Sequence, residues 1–227
     1  YTQITAYDAH NRMQSLYNWH YDSQVSVYEP TYSPRGVLQS EDLIVNASKN
    51  NLGHTGGTRQ TVVKDIVYDA KGQRMRMRYG NGTTTCYHYD PHTFRLRQLR
   101  STRHSSDTCQ EGAQSNLSDP NTLQNLFYTY DPTGNITEIR DDAYKPVFFN
   151  GQKVLPQNAY TYDALYRLVA ATGREQVGLN APQQKDMEWA PKNFPISDAT
   201  LQGYEQRYEY DGVGNILKMR HIAATGS

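Results

Sequence analysis

Tyr-Asp dyads begin at Tyr7, Tyr21, Tyr68, Tyr89, Tyr130, Tyr162 and Tyr210, and two of them open a longer match. Tyr130-Asp131-Pro132-Thr133-Gly134-Asn135-Ile136 runs on to Arg140, and Tyr210-Asp211-Gly212-Val213-Gly214-Asn215-Ile216 runs on to Arg220. A chain that returns to one short unit this often is built by repeating one small piece of structure.

The unit can be read from its residues. Before the dyad, aromatic and polar residues alternate, as in Tyr128-Thr129-Tyr130, Tyr160-Thr161-Tyr162 and Tyr208-Glu209-Tyr210. A period of two puts the tyrosines on one face of a strand. After the dyad come turn residues: Asp bonds the backbone ahead of it, Pro presets φ and Gly accepts positive φ. This order suits a type I turn with a glycine bulge, the closure of a β-hairpin. Asp69, Asp90, Asp131, Asp163 and Asp211, with Gly134 and Gly214, are therefore assigned as turn formers. One hairpin cannot bury its apolar face alone and must stack on neighbours.

The series resembles the YD or RHS repeat. The resemblance extends through Tyr79-Gly80-Asn81-Gly82, Phe148-Phe149-Asn150-Gly151-Gln152 and Tyr162-Asp163-Ala164-Leu165-Tyr166-Arg167-Leu168. In that order these segments are similar to the repeat region of the C component of bacterial Tc insecticidal toxin complexes. They cover most of residues 60–221, and residues 1–59 match more loosely. The resemblance implies a spiralling sheet that closes, in full toxins, into a shell around a toxic C-terminal segment. The chain lacks that family's terminal core segment, self-cleaving aspartates and cargo, and is too short to enclose a cavity alone.

The fold class expected is all-β: tandem hairpins in a continuous, strongly curved antiparallel sheet. A single domain over 1–227 is expected, less regular over 1–59 and regular over 60–222, with insertions near 101–122, 143–158 and 177–203. A short helix is expected between Ser118 and Asn125. Apolar content is only 37% while 19 residues are Tyr, which suits a thin core of amphipathic rings. The 23 basic and 23 acidic residues balance, so charge gives no pull towards nucleic acid. No apolar run is long enough to cross a membrane, and the start Tyr-Thr-Gln reads as that of a mature or excised piece. A secreted or extracellular location is expected. The two cysteines, Cys86 and Cys109, can close a loop of about 24 residues worth roughly 3 kcal/mol; free thiols are equally compatible with the sequence.

No enzyme signature emerges, and neither a metal site nor a cofactor is expected. His88 and His92 flank the Asp90-Pro91 turn and so point apart. Asp141-Asp142 are adjacent strand residues facing opposite ways, with Arg140 the simpler partner. The Arg74, Arg76, Arg78 row and the Arg95, Arg97, Arg100, Arg103 row read as solvated or cross-strand paired. The function expected is a scaffold segment of a toxin-encapsulating shell, with adjoining shell segments or other toxin-complex subunits as partners and self-association possible through open sheet edges. The alternative is a carbohydrate-binding lectin, a role linked to YD repeats as a family. Its candidate sugar contacts are Tyr89, Tyr130, Tyr162, Tyr210, Trp19 and Trp189.

Overall fold

Strand-favouring Tyr, Thr, Val and Ile, alternating with polar residues and broken by Asp-, Asn- and Gly-containing turns, leave little that can form a helix. The computed structural model describes residues 2–19, 24–50, 53–104, 107–112, 119–177 and 201–223. Among these, every regular element is a strand: β1 (Thr2–Tyr7), β2 (Met13–Trp19), β3 (Gln24–Tyr32), β4 (Leu38–Asn50), β5 (Gly53–Thr55), β6 (Thr58–Tyr68), β7 (Arg74–Tyr79), β8 (Thr84–Tyr89) and β9 (Leu96–Thr102). They continue as β10 (Thr122–Tyr130), β11 (Ile136–Asp141), β12 (Val147–Phe149), β13 (Gln152–Val154), β14 (Gln157–Tyr162), β15 (Leu168–Gln176), β16 (Leu201–Tyr210) and β17 (Ile216–Ala223).

One large sheet follows chain order, β1-β2-β3-β4-β6-β7-β8-β9-β10-β11-β14-β15-β16-β17, with β5 paired to β4 and β12–β13 forming a small sheet of their own. Each neighbour is the next strand along, as expected when hairpins pair locally. The dyad turns close β1–β2, β6–β7, β8–β9, β10–β11, β14–β15 and β16–β17. A turn of the same geometry closes β3–β4 at Tyr32-Ser33-Pro34-Arg35-Gly36, where Ser replaces Asp. The long insertions all fall in the intervening connections. The expected helix at 118–125 does not form: β10 starts at Thr122, and Ser118 lies outside the described residues. The Asn125 N–H donates to Asp141 Oδ1 and its carbonyl accepts from the Asp142 N–H, both at 2.9 Å. These inter-strand bonds outweigh a weak local propensity.

The described residues gather into two compact units, one within 1–88, 99–113 and 121–123, the other within 89–98, 114–120 and 124–227. In the first unit Val25, Val27, Ile44 and Ala47 form a buried cluster backed by Tyr17. Val63, Ile66 and Met77 form a second cluster, backed by Leu38, Tyr68, Tyr79 and Tyr87. Complete burial of Val25 and Val27 is worth roughly 1.5–3 kcal/mol each. The Arg74–Arg78 row pairs across the strands, since Arg78 and Arg76 both reach Asp65 on β6. In the second unit the fully buried Asn125 accepts from Gln98 Nε2 at 2.7 Å, placing a polar pair at the centre.

The bulge is visible in the register. Thr129 pairs with Glu138 but Tyr130 pairs with Ile136, so two residues of β11 face one of β10. The same shift falls at Tyr162 and Tyr210. Gly134 meets the turn's demand with φ +111°, and a Cβ there would also press on the Arg95 guanidinium at 2.9 Å. In the Tyr162 hairpin the bulge position is held by Tyr166, at φ 63° and 59% exposed. Gly134→Ala is expected to cost at least about 1 kcal/mol in urea unfolding, from left-handed strain and the displaced arginine. Tyr166→Gly, which relieves strain and gives up little packing, is expected to be neutral or to stabilise by up to about 1 kcal/mol. A stabilising Gly134→Ala would contradict this account of the turn.

Candidate functional site

Among the described residues, each dyad aspartate organises its own turn. Asp131 Oδ1 accepts from the N–H groups of Gly134 and Asn135 at 2.7 and 2.8 Å and from the Thr133 hydroxyl at 2.7 Å. Its other oxygen accepts from Asn135 Nδ2 at 2.7 Å. Asp211 repeats the pattern with Val213 N–H, Asn215 N–H and Asn215 Nδ2. In the Asp8 and Asp163 turns an arginine does the work of that asparagine, with Arg12 Nε and Arg167 Nε each donating at 2.7 Å. Asp69 accepts from the Lys71 and Gln73 N–H groups, and Asp90 from His92 and Thr93. Hydrogen bonds to the ionised carboxylate lower its pKa. The Arg12 backbone N–H, then its side chain, hold Asp8 at about 2. The Asn135 amide, with Thr133 and the turn N–H groups, holds Asp131 well below the usual carboxylate range. Asp90, Asp163 and Asp211 are lowered chiefly by Thr93 N–H, Arg167 N–H and the Asn215 amide respectively.

The dyad tyrosines reach beyond their own hairpins. Tyr130 donates its hydroxyl to the Leu96 carbonyl at 2.7 Å, Tyr162 to Ile136 at 2.8 Å and Tyr210 to Leu168 at 2.8 Å. Tyr68 donates likewise to Leu38 at 2.8 Å. In every case the acceptor is the first residue of the returning strand in the preceding hairpin. Burial pushes the Tyr130 and Tyr162 phenols up, which keeps them protonated and able to donate. Where the preceding turn ends in arginine, that side chain covers the ring: Arg95 over Tyr130 at 5.6 Å and Arg167 over Tyr210 at 4.8 Å. Arg95 Nη1 also donates to the Asp131 carbonyl at 2.9 Å and Arg167 Nη1 to the Asp211 carbonyl at 3.2 Å. Arg12 covers Tyr32 in the same way at 4.9 Å. This two-part clamp between consecutive hairpins was not foreseen from the sequence; its signal was the Arg that recurs just after the turns of Asp8, Asp90 and Asp163.

Of the six residues singled out for sugar contact, five lie among the described residues. Tyr130, Tyr162 and Tyr210 are half-buried parts of the clamps, and Tyr89 is half-buried at the end of β8. Trp19 ends β2, while Trp189 lies outside the described residues. The dyad at Tyr21 also lies outside them. Asp141 and Asp142 act separately: Asp141 accepts from Asn125 and Ala143 N–H groups, and Asp142 pairs with Arg140 at 2.7 Å. A cleft of about 350 Å³ is lined by Lys153, Gln157, Gly173, Tyr204 and Glu205 among others. A Cβ on Gly173 would collide with Asn158 and Tyr204, so glycine lets those two side chains close on the backbone there. Beside it His221 stacks on Tyr204 and meets Glu175 at 2.7 Å. In the first unit Cys86 and Cys109 form a disulfide that lashes the loop after β9 to β8. Among the described residues no helix is long and apolar enough to cross a membrane.

These observations define a class first: a sheet of tandem Tyr-Asp hairpins, four of them clamped to the one before by a phenol and, at intervals, by a guanidinium. The chain is 35% identical over 206 residues to toxin subunit YenC1 of Yersinia entomophaga and 37% identical over 182 residues to toxin subunit YenC2 of the same organism. Those alignments take in 91% and 80% of this chain but only 19% and 18% of the subunits, so the chain spans about a fifth of the relatives it matches. It also superposes on the crystal structure of TcdB2-TccC3 (TM-score 0.70, 30% identity) over 99% of its length and 9% of that chain. The Photorhabdus luminescens Tc holotoxin pore matches similarly, with a TM-score of 0.68, 30% identity, and 98% and 9% coverage. No protein-family model matches. The chain is thus a β-sheet segment similar to part of toxin subunits YenC1 and YenC2 and to part of these toxin structures. Nothing in these relationships supports a lectin.

Two outcomes follow from the clamp and the turns. Tyr162→Phe and Tyr210→Phe are each expected to cost about 0.5–1.5 kcal/mol in urea unfolding, the worth of one phenol–carbonyl bond. Values indistinguishable from zero at both positions would remove the clamp from the stability account. Asp8, Asp90, Asp131, Asp163 and Asp211 are lowered in the folded chain relative to an unfolded value near 3.9. Their contribution is complete above that value and is lost as pH falls through the folded values, towards about 2 at Asp8. Tm should therefore drop between about pH 4 and pH 2, and Asp131→Asn should flatten that drop. An Asp131→Asn chain with an unchanged acid profile would be the contrary result.

Proposed function

We propose that this segment is a stretch of wall in a toxin-complex C-type subunit, non-enzymatic in itself and working outside the producing cell. Alignment of nine-tenths of the chain with a toxin subunit carries this reading. The last strand supports it. On β17, Ile216, Leu217, Met219 and Ile222 are 45–69% exposed, and they alternate onto both faces. An edge strand that exposes apolar side chains on both faces, even with Lys218 and Arg220 among them, is a liability in a free protein and an asset where further sheet packs against it. The partners proposed are therefore adjoining shell segments of the same longer chain and, through that chain, another toxin-complex subunit. The matched crystal structure is of TcdB2-TccC3, which motivates the second of these.

A chimera tests this directly. TccC3 carrying these 227 residues in place of its own matched stretch is expected to co-purify with TcdB2 and to keep its C-terminal segment protected from added protease. A second chimera with Tyr130, Tyr162 and Tyr210 changed to alanine should lose protection. A soluble first chimera that neither co-purifies with TcdB2 nor protects its C-terminal segment would overturn the proposal.

A further inference from the structure

Strand β8 places Cys86 and His88 two residues apart, hence on the same face. Against that face the loop after β9 brings Asp107 and Cys109. The two sulfurs and an Asp107 carboxylate oxygen all lie within 4.8 Å of one another. Asp107 is set by its surroundings: Arg100 Nη2 and the Cys109 N–H donate to one oxygen at 2.6 and 2.9 Å, and the Thr102 hydroxyl to the other at 3.1 Å. His88 is 7% exposed, and its Nε2 is buried without a hydrogen-bond partner. A buried nitrogen without a partner calls for an explanation, and a bound cation is one that would supply it.

We propose that the reduced form of this chain binds a zinc-like divalent cation through Cys86, Cys109 and Asp107, with His88 Nε2 as the fourth ligand, and that the disulfide is the metal-free state of the same site. Two thiolates, an imidazole and a carboxylate form a donor set that suits zinc. Tetrahedral zinc with thiolate bonds of about 2.3 Å holds its ligand atoms about 3.3–3.8 Å apart. The sulfurs must therefore separate on reduction, Asp107 needs a shift on the order of 1 Å, and His88, which is not one of the three residues clustered within 4.8 Å, must turn its ring towards them. Opening the disulfide takes two electrons and two protons, supplied by an external dithiol that leaves as its own disulfide. Metal binding then releases the two thiol protons to solvent. The half-buried Cys109 gives the reductant access to an otherwise buried bond. The site belongs to the first compact unit and is independent of the scaffold role.

Cobalt(II) is the probe. Titrated into the reduced chain under anaerobic conditions, it is expected to give tetrahedral thiolate–cobalt absorption saturating at one equivalent, bleached by zinc. The oxidised chain should give none. Cys86→Ser and Cys109→Ser should abolish the signal, and Asp107→Asn and His88→Gln should each weaken cobalt binding at least tenfold. If reduction unfolds the chain, zinc is expected to restore the far-UV strand signature. A folded reduced chain without tetrahedral absorption, a Cys86→Ser chain that binds equally well, or an unfolded reduced chain that zinc does not refold would each overturn the site. A wild-type signal in His88→Gln would overturn the fourth ligand.

Discussion

The sheet depends on a phenol reaching out of its own hairpin. Tyr68, Tyr130, Tyr162 and Tyr210 each donate to a backbone carbonyl at the start of the previous returning strand. Ladder hydrogen bonds alone allow a hairpin to slide along its neighbour, because they are the same at every second residue. A side chain that must find one particular carbonyl removes that freedom. Arg95 and Arg167 act in the same direction, stacking on the next ring and donating to the next turn. Register is thus passed from hairpin to hairpin by side chains, and the insertions are left to the connections that carry no dyad turn.

That division explains how a chain with little apolar content holds a long sheet. The first unit has compact aliphatic clusters around Val25 and Ile44 and around Val63 and Met77. In the second, buried positions go partly to polar groups, with Asn125 tied to Gln98, Asp141 and Asp142. Such pairs add less than hydrocarbon burial but tolerate few alternative arrangements. The disulfide and the Arg100–Asp107 pair do a similar job for the loop after β9, which has no strand pairing among its described residues. Stability here is spread over many small, specific contacts, which suits a segment that gains further neighbours in a longer protein.

Similarity to part of a toxin subunit and the exposed apolar side chains of β17 agree on one physical point. A repeat that cannot bury its own face leaves that requirement to whatever adjoins it. Tyr130, Tyr162 and Tyr210, three of the rings that invite a sugar-binding interpretation, are engaged in holding the repeats together. Flat rings beside Asn, Asp and Arg serve either purpose, and only the hydroxyl's partner tells them apart.

The turns were legible because they are local. Asp131, Gly134 and Asn135 meet within five residues, so their chemistry is written in consecutive letters, and the strand on either side follows from alternation. The missed helix at 118–125 marks the limit of that approach, since Asn125 answers to Asp141 and Asp142 rather than to its neighbours. Asp65 as partner of Arg76 and Arg78, Asp107 beside the disulfide, and the carbonyls that receive the phenols were equally out of reach. The amino-acid order by itself determined the hairpins, their bulged turns and the all-β class, since backbone preference and short-range hydrogen bonding act within a few residues. Only the tertiary structure decided which carbonyl each tyrosine meets, what neutralises each arginine and which donors gather around Cys86. Those contacts join residues brought close by strand register, and register is a property of the assembled sheet.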